Sequence, residues 1–261
     1  MKFIKAHGLG NDFVMLVDTN VPHSDLSNLS RKLADRRYGI GCDQIIVSQE
    51  TDGIIKVRFF NGDGSEAESC GNGSRCIAKY LMQQKQTKTV TFETIGGRLN
   101  CKLNDDGMVT VEMPTPIIEV FGGSQGLGHL STPDAVSVIV GNPHLVCFVD
   151  DVSLVEHYGE GLENHPSFPL RTNVDFVKIL DSNHIELKVW ERGSGITPAC
   201  GSGACAAMVA SFTHNKVTDF VKVSQAGGDL WIRFENKKLF MTGPAVIVFS
   251  GKINIFHHEN H

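Results

Sequence analysis

No run of about 18 apolar residues occurs in the chain, so the sequence offers no membrane-spanning helix. The opening stretch MKFIKAHGLGNDF has neither an apolar segment nor a small-residue cleavage site, and a cytoplasmic protein without membrane partners is expected. Positive charge is not in excess. Lys and Arg number 24 against 29 Asp and Glu, a formal net charge of -5, which disfavours a polyanion-binding surface and so a nucleic-acid partner. No two cysteines stand in the C-x-x-C spacing of common zinc sites, and no metal site is expected. The seven that exist (Cys42, Cys70, Cys76, Cys101, Cys147, Cys200, Cys205) are an odd number in a long chain, which argues against a disulfide framework as the basis of the fold. What is present is length: 261 residues suffice for one large domain or two of about 120 to 130 residues.

The chain matches itself. At a shift of about 130 residues IKVRFFNGDG (55–64) lies on IELKVWERGS (185–194), Cys70-Gly71-Asn72-Gly73 on Cys200-Gly201-Ser202-Gly203, and TVTFETIGGRL (89–99) on FVKVSQAGGDL (220–230). EMPTP (112–116) meets TGPAV (242–246), and NDFVMLVD (11–18) answers NPHLVCFVD (142–150). Five collinear matches imply duplication. The expected fold is α+β, with two pseudo-symmetric domains, each a barrel-like β-rich sheet around a central helix, and the active site in the cleft between them. Proline at 114 and 116 marks the expected boundary. The first domain is read as 1–115 plus about 248–261, the second as 116–247, with the strand AVIVFSGKINIF (245–256) returning to complete the first.

Each half places a cysteine immediately before a Gly-x-Gly that opens a helical stretch; ACAAMVASF (204–212) is apolar nearly all round and so expected to be buried. A helix start has unpaired N–H groups and about half a positive charge, and therefore attracts anions. Glycines 71, 73, 201 and 203 admit a ligand close to the backbone, so Gly71-Asn72 and Gly201-Ser202 can hold a carboxylate. The same field is expected to lower Cys70 and Cys200 from the ordinary thiol value of about 8.5. Two such ends facing one carboxylate would set a sulfur on either side of the neighbouring carbon. One could remove a proton and the other deliver one to the opposite face, which inverts the centre.

These residues resemble the diaminopimelate epimerases, over nearly the whole chain. The markers are HGLGNDF (7–13), FNGDGSEAESCGNGSRC (60–76), GNPH (141–144) and WERGSGITPACGSGACA (190–206). The resemblance implies epimerisation of LL- and meso-diaminopimelate without pyridoxal phosphate, metal or other cofactor, in lysine biosynthesis, by a protein that is commonly a homodimer. It makes Cys70 and Cys200 the acid/base pair and Gly71, Asn72, Gly201 and Ser202 the carboxylate clamp. Glu191 and Arg192 match a pair that binds the substrate's charged groups, and Asn11, Gln44, Asn61, Asn142 and Asn173 match its polar contacts. His144 and Glu191 take supporting roles. Departures are Ile196, where Glu is frequent in the family, and Ser69, where Met or Gln is.

A proline or hydroxyproline racemase is the alternative within the same chemistry, although such enzymes usually carry histidine where this chain has Asn72. A non-catalytic amino acid binding protein is the alternative outside it, disfavoured by the second thiol. If the two sulfurs face one another, mild oxidation will give an inactive protein that reductant restores. Non-reducing peptide mapping should then show Cys70 joined to Cys200, and the absence of that linked peptide would refute the facing arrangement.

Overall fold

The computed structural model describes residues 1–18, 21–119 and 135–254. In chain order the first half runs β1 (Lys2–Gly8), β2 (Asn11–Val17), α1 (Leu26–Ala34), β3 (Gln44–Thr51), β4 (Ile54–Asn61), β5 (Glu66–Ala67), α2 (Gly71–Lys85), β6 (Thr89–Thr94), β7 (Gly97–Leu103), β8 (Val109–Met113) and β9 (Ile117–Glu119). The second repeats it with β10 (Val136–Val140), β11 (Asn142–Phe148), α3 (Val155–Glu163), β12 (Asn173–Asp181), β13 (His184–Glu191), β14 (Gly195–Ile196), α4 (Gly201–Thr213), β15 (Phe220–Gln225), β16 (Gly228–Glu235), β17 (Lys238–Gly243) and β18 (Val246–Lys252). The result is a sheet-rich α+β architecture with the element order used twice.

Pairing repeats as well. β2 runs parallel to β3 and β11 parallel to β12, while β3–β4 and β12–β13 are antiparallel. The Gly-Gly signals fall in two tight hairpins, closed at Thr94↔Gly97 and Gln225↔Gly228, where Gly97 (φ 119°) and Gly228 (φ 129°) take left-handed backbones closed to most side chains. β8 pairs with β17, so the halves share one sheet. Each half then sends a strand across. β9 leaves β8 to pair with β10, and β18 leaves β17 to pair with β1. The returning strand read over 245–256 is thus β18, paired Lys2↔Lys252 to His7↔Val246; the terminal FHHENH lies outside the described residues.

α2 and α4 are the two central helices. Ala204 to Ala210 of α4 have no exposed surface, and Cys76, Ile77 and Ala78 of α2 have none either. Both helices belong to one continuous hydrophobic cluster that includes Phe13, Phe59 and Phe92 from one half and Val189, Leu230 and Met241 from the other. Smaller clusters under α1 and α3 brace the outer faces. Each buried Val, Leu or Phe contributes about 1.5–3 kcal/mol, so this shared cluster anchors both central helices. Helix packing there leaves no spare volume. A Cβ on Gly73 would lie 2.9 Å from Phe59 Cε1 and 3.1 Å from Ile46 Cδ1, both on fully buried side chains. Gly73→Ala gains about 1 kcal/mol of helix propensity but overpacks at a cost of about 1–3 kcal/mol. A lowered melting temperature is expected in a thermal scan, and an unchanged or higher one would show that α2 can shift.

Candidate active site

Both central helices begin on a cysteine. Cys70 (φ -144°, ψ 113°) and Cys200 (φ -117°, ψ 119°) have extended backbones, and their sulfurs accept from Gly73 N at 3.4 Å and from Gly203 N at 3.4 Å. Sulfur takes the N-cap position usually filled by Ser, Thr, Asp or Asn. The two starts meet. A Cβ on Gly71 would lie 3.4 Å from Gly201 Cα, and one on Gly201 would lie 3.3 Å from Gly71 Cα. Asn72 Nδ2 donates to Ala199 O at 2.9 Å, tying the first helix to the residue before Cys200.

Strand ends supply the polar groups. Asn11 opens β2, Gln44 opens β3 and Asn61 closes β4; Asn142 opens β11, Asn173 opens β12 and Glu191 closes β13. The registers Phe13↔Gln44 and Gln44↔Asn61, with His144↔Asn173 and Val174↔Trp190, carry each trio to one end of its sheet. Gln44 Nε2 donates to Asn61 Oδ1 at 2.8 Å, and Asn173 Oδ1 accepts the Arg192 backbone N–H at 3.0 Å while its Nδ2 donates to Pro143 O at 2.7 Å. Gln44, Asn61 and Asn173 thus bond to other polar groups at the strand ends rather than to the thiols. Arg192 is exposed, its Nη1 donating to Leu170 O at 3.3 Å on the rim.

The surroundings of the sulfurs differ. On the first side Cys70 Sγ lies 3.9 Å from Asn11 Oδ1, which also accepts from Asn72 Nδ2 at 3.4 Å. Asn11 is oriented by its Nδ2, which donates to Asp43 Oδ2 at 3.0 Å, and Arg36 bridges Asp43 and Asp12 at 2.7 Å each. Burial opposes ionisation of Asp12, yet Arg36 and Lys5 hold its carboxyl well below the usual carboxylate range. On the second side Cys200 Sγ lies 3.5 Å from Ser202 Oγ, and Ser202 Oγ 3.0 Å from His144 Nε2. His144 Nε2 also lies 3.1 Å from Asn142 Oδ1, and His144 Nδ1 meets Asp175 Oδ2 at 2.8 Å, with neither side chain exposed. A carboxylate accepts, so Nδ1 donates and the ring is fixed with Nε2 toward the serine. Glu191 accepts from Thr197 Oγ1, and its carboxyl acts electrostatically on Cys200.

The expected lowering of both thiols is not what the surroundings produce. Burial pushes Cys70 up to about 12, against the pull of the Gly73 N–H and with Glu191 adding to the rise. Burial, then Glu191 and Asp175, raise Cys200 well above the ordinary value. The physical reason is magnitude. A helix end is worth up to about 2 kcal/mol, about one and a half units of acidity, whereas burial moves a group by up to about 3–5 units. Four contributors were not read from the sequence: Asp175, Thr197, Gln225, whose Oε1 accepts the Cys200 N–H at 2.8 Å, and the buried Arg75. A carboxylate inside the apolar strand NVDFV was the one available sign for Asp175.

Burial also raises the Glu191 carboxyl from its ordinary 4.5. The folded state therefore binds that proton more tightly than the unfolded chain, and stability falls as pH rises from the unfolded value through the folded one. Glu191→Gln removes this dependence. Its melting temperature should exceed that of the unsubstituted protein at about pH 8 and converge with it near about pH 4. Equal values at both pH settings would show that the carboxyl is not strained by burial.

A family model described as diaminopimelate epimerase matches residues 3–118 and 136–248. The chain is 40% identical over 279 residues to the diaminopimelate epimerase of Aromatoleum aromaticum, covering 98% of this chain and 99% of that protein. It is 42% identical over 260 residues to that of Gluconobacter oxydans, covering 96% and 98%. Among solved structures it resembles a phenazine biosynthesis protein of the PhzF family from Bacillus anthracis, with a TM-score of 0.76, 15% identity and coverage of 98% and 99%. It also resembles a probable proline racemase from Agrobacterium radiobacter, with a TM-score of 0.73, 15% identity and coverage of 99% and 94%. Those two share the fold. The sequence matches, which span both cysteine-capped helix starts, place this chain in the diaminopimelate epimerase family.

Proposed function

We propose that this protein interconverts LL- and meso-diaminopimelate by proton transfer at Cα, with Cys70 and Cys200 as the two bases, in lysine and peptidoglycan precursor synthesis. The observation that carries this reading is the contact between two helix starts, each capped by a sulfur. The N–H groups of Gly71, Asn72, Gly201 and Ser202 lie in the first turn of each helix, where no intrahelical acceptor exists, and are suited to a carboxylate beside both sulfurs. One sulfur, as thiolate, takes the Cα proton and becomes a thiol. The other, as thiol, gives its proton to the opposite face and becomes the thiolate. Negative charge that develops on the carboxylate in between is stabilised by the helix-start N–H groups.

Glu191 is the group suited to adjust Cys200, because its carboxyl acts on that thiol and burial raises it above its ordinary value. His144, fixed by Asp175, supports the same side through Ser202. The distal amino acid head of the substrate needs amides and a guanidinium. Asn11, Gln44, Asn61, Asn142, Asn173 and Arg192 supply them, and Gln44 Oε1 is buried without a hydrogen-bond partner, as an acceptor reserved for an ammonium group would be. A cytoplasmic homodimer is the form proposed.

Proline racemisation is the second reading, favoured by the shared fold alone. The two separate in D₂O. With LL-diaminopimelate the Cα proton signal should disappear by exchange and the meso isomer appear, while L-proline should stay unlabelled. No exchange in reduced, folded protein would overturn the proposal, and labelling of proline alone would select the alternative.

A further inference from the structure

Arg75 has no exposed surface and heads the largest fully buried side chains. It is the fifth residue of α2, one turn behind the Cys70 cap; the fifth residue of α4 is Cys205, so only one of the two central helices carries a charge there. The guanidinium donates from Nη2 to Asn72 Oδ1 at 2.8 Å, from Nε to Pro244 O at 3.1 Å and from Nη1 to Met241 Sδ at 3.3 Å. None of these partners is anionic, and among the described residues no carboxylate pairs with it. Taking a guanidinium out of water costs several kcal/mol, and interiors normally keep one only where a negative group answers it. The groups around Arg75 that can become negative are Cys70, Cys76 and Cys205. Of the three, only Cys70 is less than fully buried and stands at a helix start.

Two consequences follow from this placement. Asn72 is held at both ends, its Oδ1 by Arg75 and its Nδ2 by Ala199 O, so the backbone of the first helix start is fixed relative to Cys200. The two sulfurs also face different charges. Around Cys70 stand Arg75 from α2, Glu191 from β13 and the N–H groups of Asn72 and Gly73. Around Cys200 stand Glu191, Asp175 from β12, Ser202 and the Gly203 N–H, with the His144 ring reached through Ser202.

We propose that Arg75 is a positioning residue of this site: its three-point grip on Asn72, Pro244 and Met241 locks the two helix starts together, and its unpaired charge favours the thiolate at Cys70 over Cys200. This rests on the two-thiol reading given above, but it can be tested without substrate. Iodoacetamide alkylation of each cysteine, followed by mass spectrometry as pH is varied in the full-length protein, reports the acidity of each thiol. In the unsubstituted protein Cys70 should react faster than Cys200. Arg75→Met should slow Cys70 at about pH 8 by about tenfold or more, the effect of one unit of acidity, and leave Cys200 unchanged. Arg75→Lys keeps the charge without the planar fork, so it should restore the Cys70 profile but not the turnover number.

Faster reaction at Cys200 in the unsubstituted protein, or a folded Arg75→Met protein with an unshifted Cys70 profile, overturns the charge assignment. Should Arg75→Met fail to fold, Arg75→Lys decides the positioning role: wild-type kcat and KM would overturn it. Absence of diaminopimelate exchange in the unsubstituted protein would instead remove the function, while leaving the alkylation result standing.

Discussion

The close approach of two buried helix starts is the constraint on which the rest of the molecule depends. Helix ends carry unpaired N–H groups, and an interior that hides them must satisfy them or leave them for a ligand. Here the third N–H of each helix, from Gly73 and from Gly203, goes to a cysteine sulfur. Glycine at 71 and 201 allows the approach, since the Cα of each lies within 3.4 Å of where the other's Cβ would stand. The sheet is arranged around this contact. Crossing over β9 and β18, together with the β8–β17 pairing, binds the halves so that the two helix starts cannot drift apart independently.

Around this near-symmetric centre the side chains are not symmetric. Behind Gly73 the strands present Phe13, Ile46 and Phe59, while behind Gly203 they present Asp175 and Val189. The first sulfur is therefore backed by an apolar wall and a buried guanidinium, the second by a carboxylate–imidazole pair, and the Glu191 carboxyl acts on both. Equal bases are not required for a two-way reaction. The two sulfurs stand in different electrostatic environments, and the proposed preference for a Cys70 thiolate rests on that difference. Burial raises both thiols, because hiding a charge outweighs the field of a helix end. The same burial makes each charged neighbour count for more than it would in water.

Much of this was legible in the amino-acid order. The duplication, the helices at 71 and 201, the Gly-Gly hairpins and the strands ending at Asn61 and Glu191 all rest on local signals: turn glycines, alternation and an apolar helix face. The cysteines were identifiable because they recur at matching places in both halves, and the strand-end amides because they fall where the resembled family places its polar contacts. Thr197, Gln225 and Arg75 were not, since nothing local distinguishes them, and Asp175 was marked only as a carboxylate inside an apolar strand. A carboxylate in β12 becomes the partner of His144 only because β11 and β12 run parallel in one register. Arg75 reads as an ordinary helical arginine until the β17–β18 connection closes over it.

The sequence by itself determined the two cysteine-headed helices, their glycine approach and their polar strand ends, because backbone propensity and periodicity act over a few residues. Tertiary structure alone decided that the helix starts touch, that burial rather than the helix field dominates the thiols, and that one sulfur has a cation behind it and the other a carboxylate. Those outcomes depend on solvent exclusion and on contacts between residues more than a hundred positions apart, which no local pattern records.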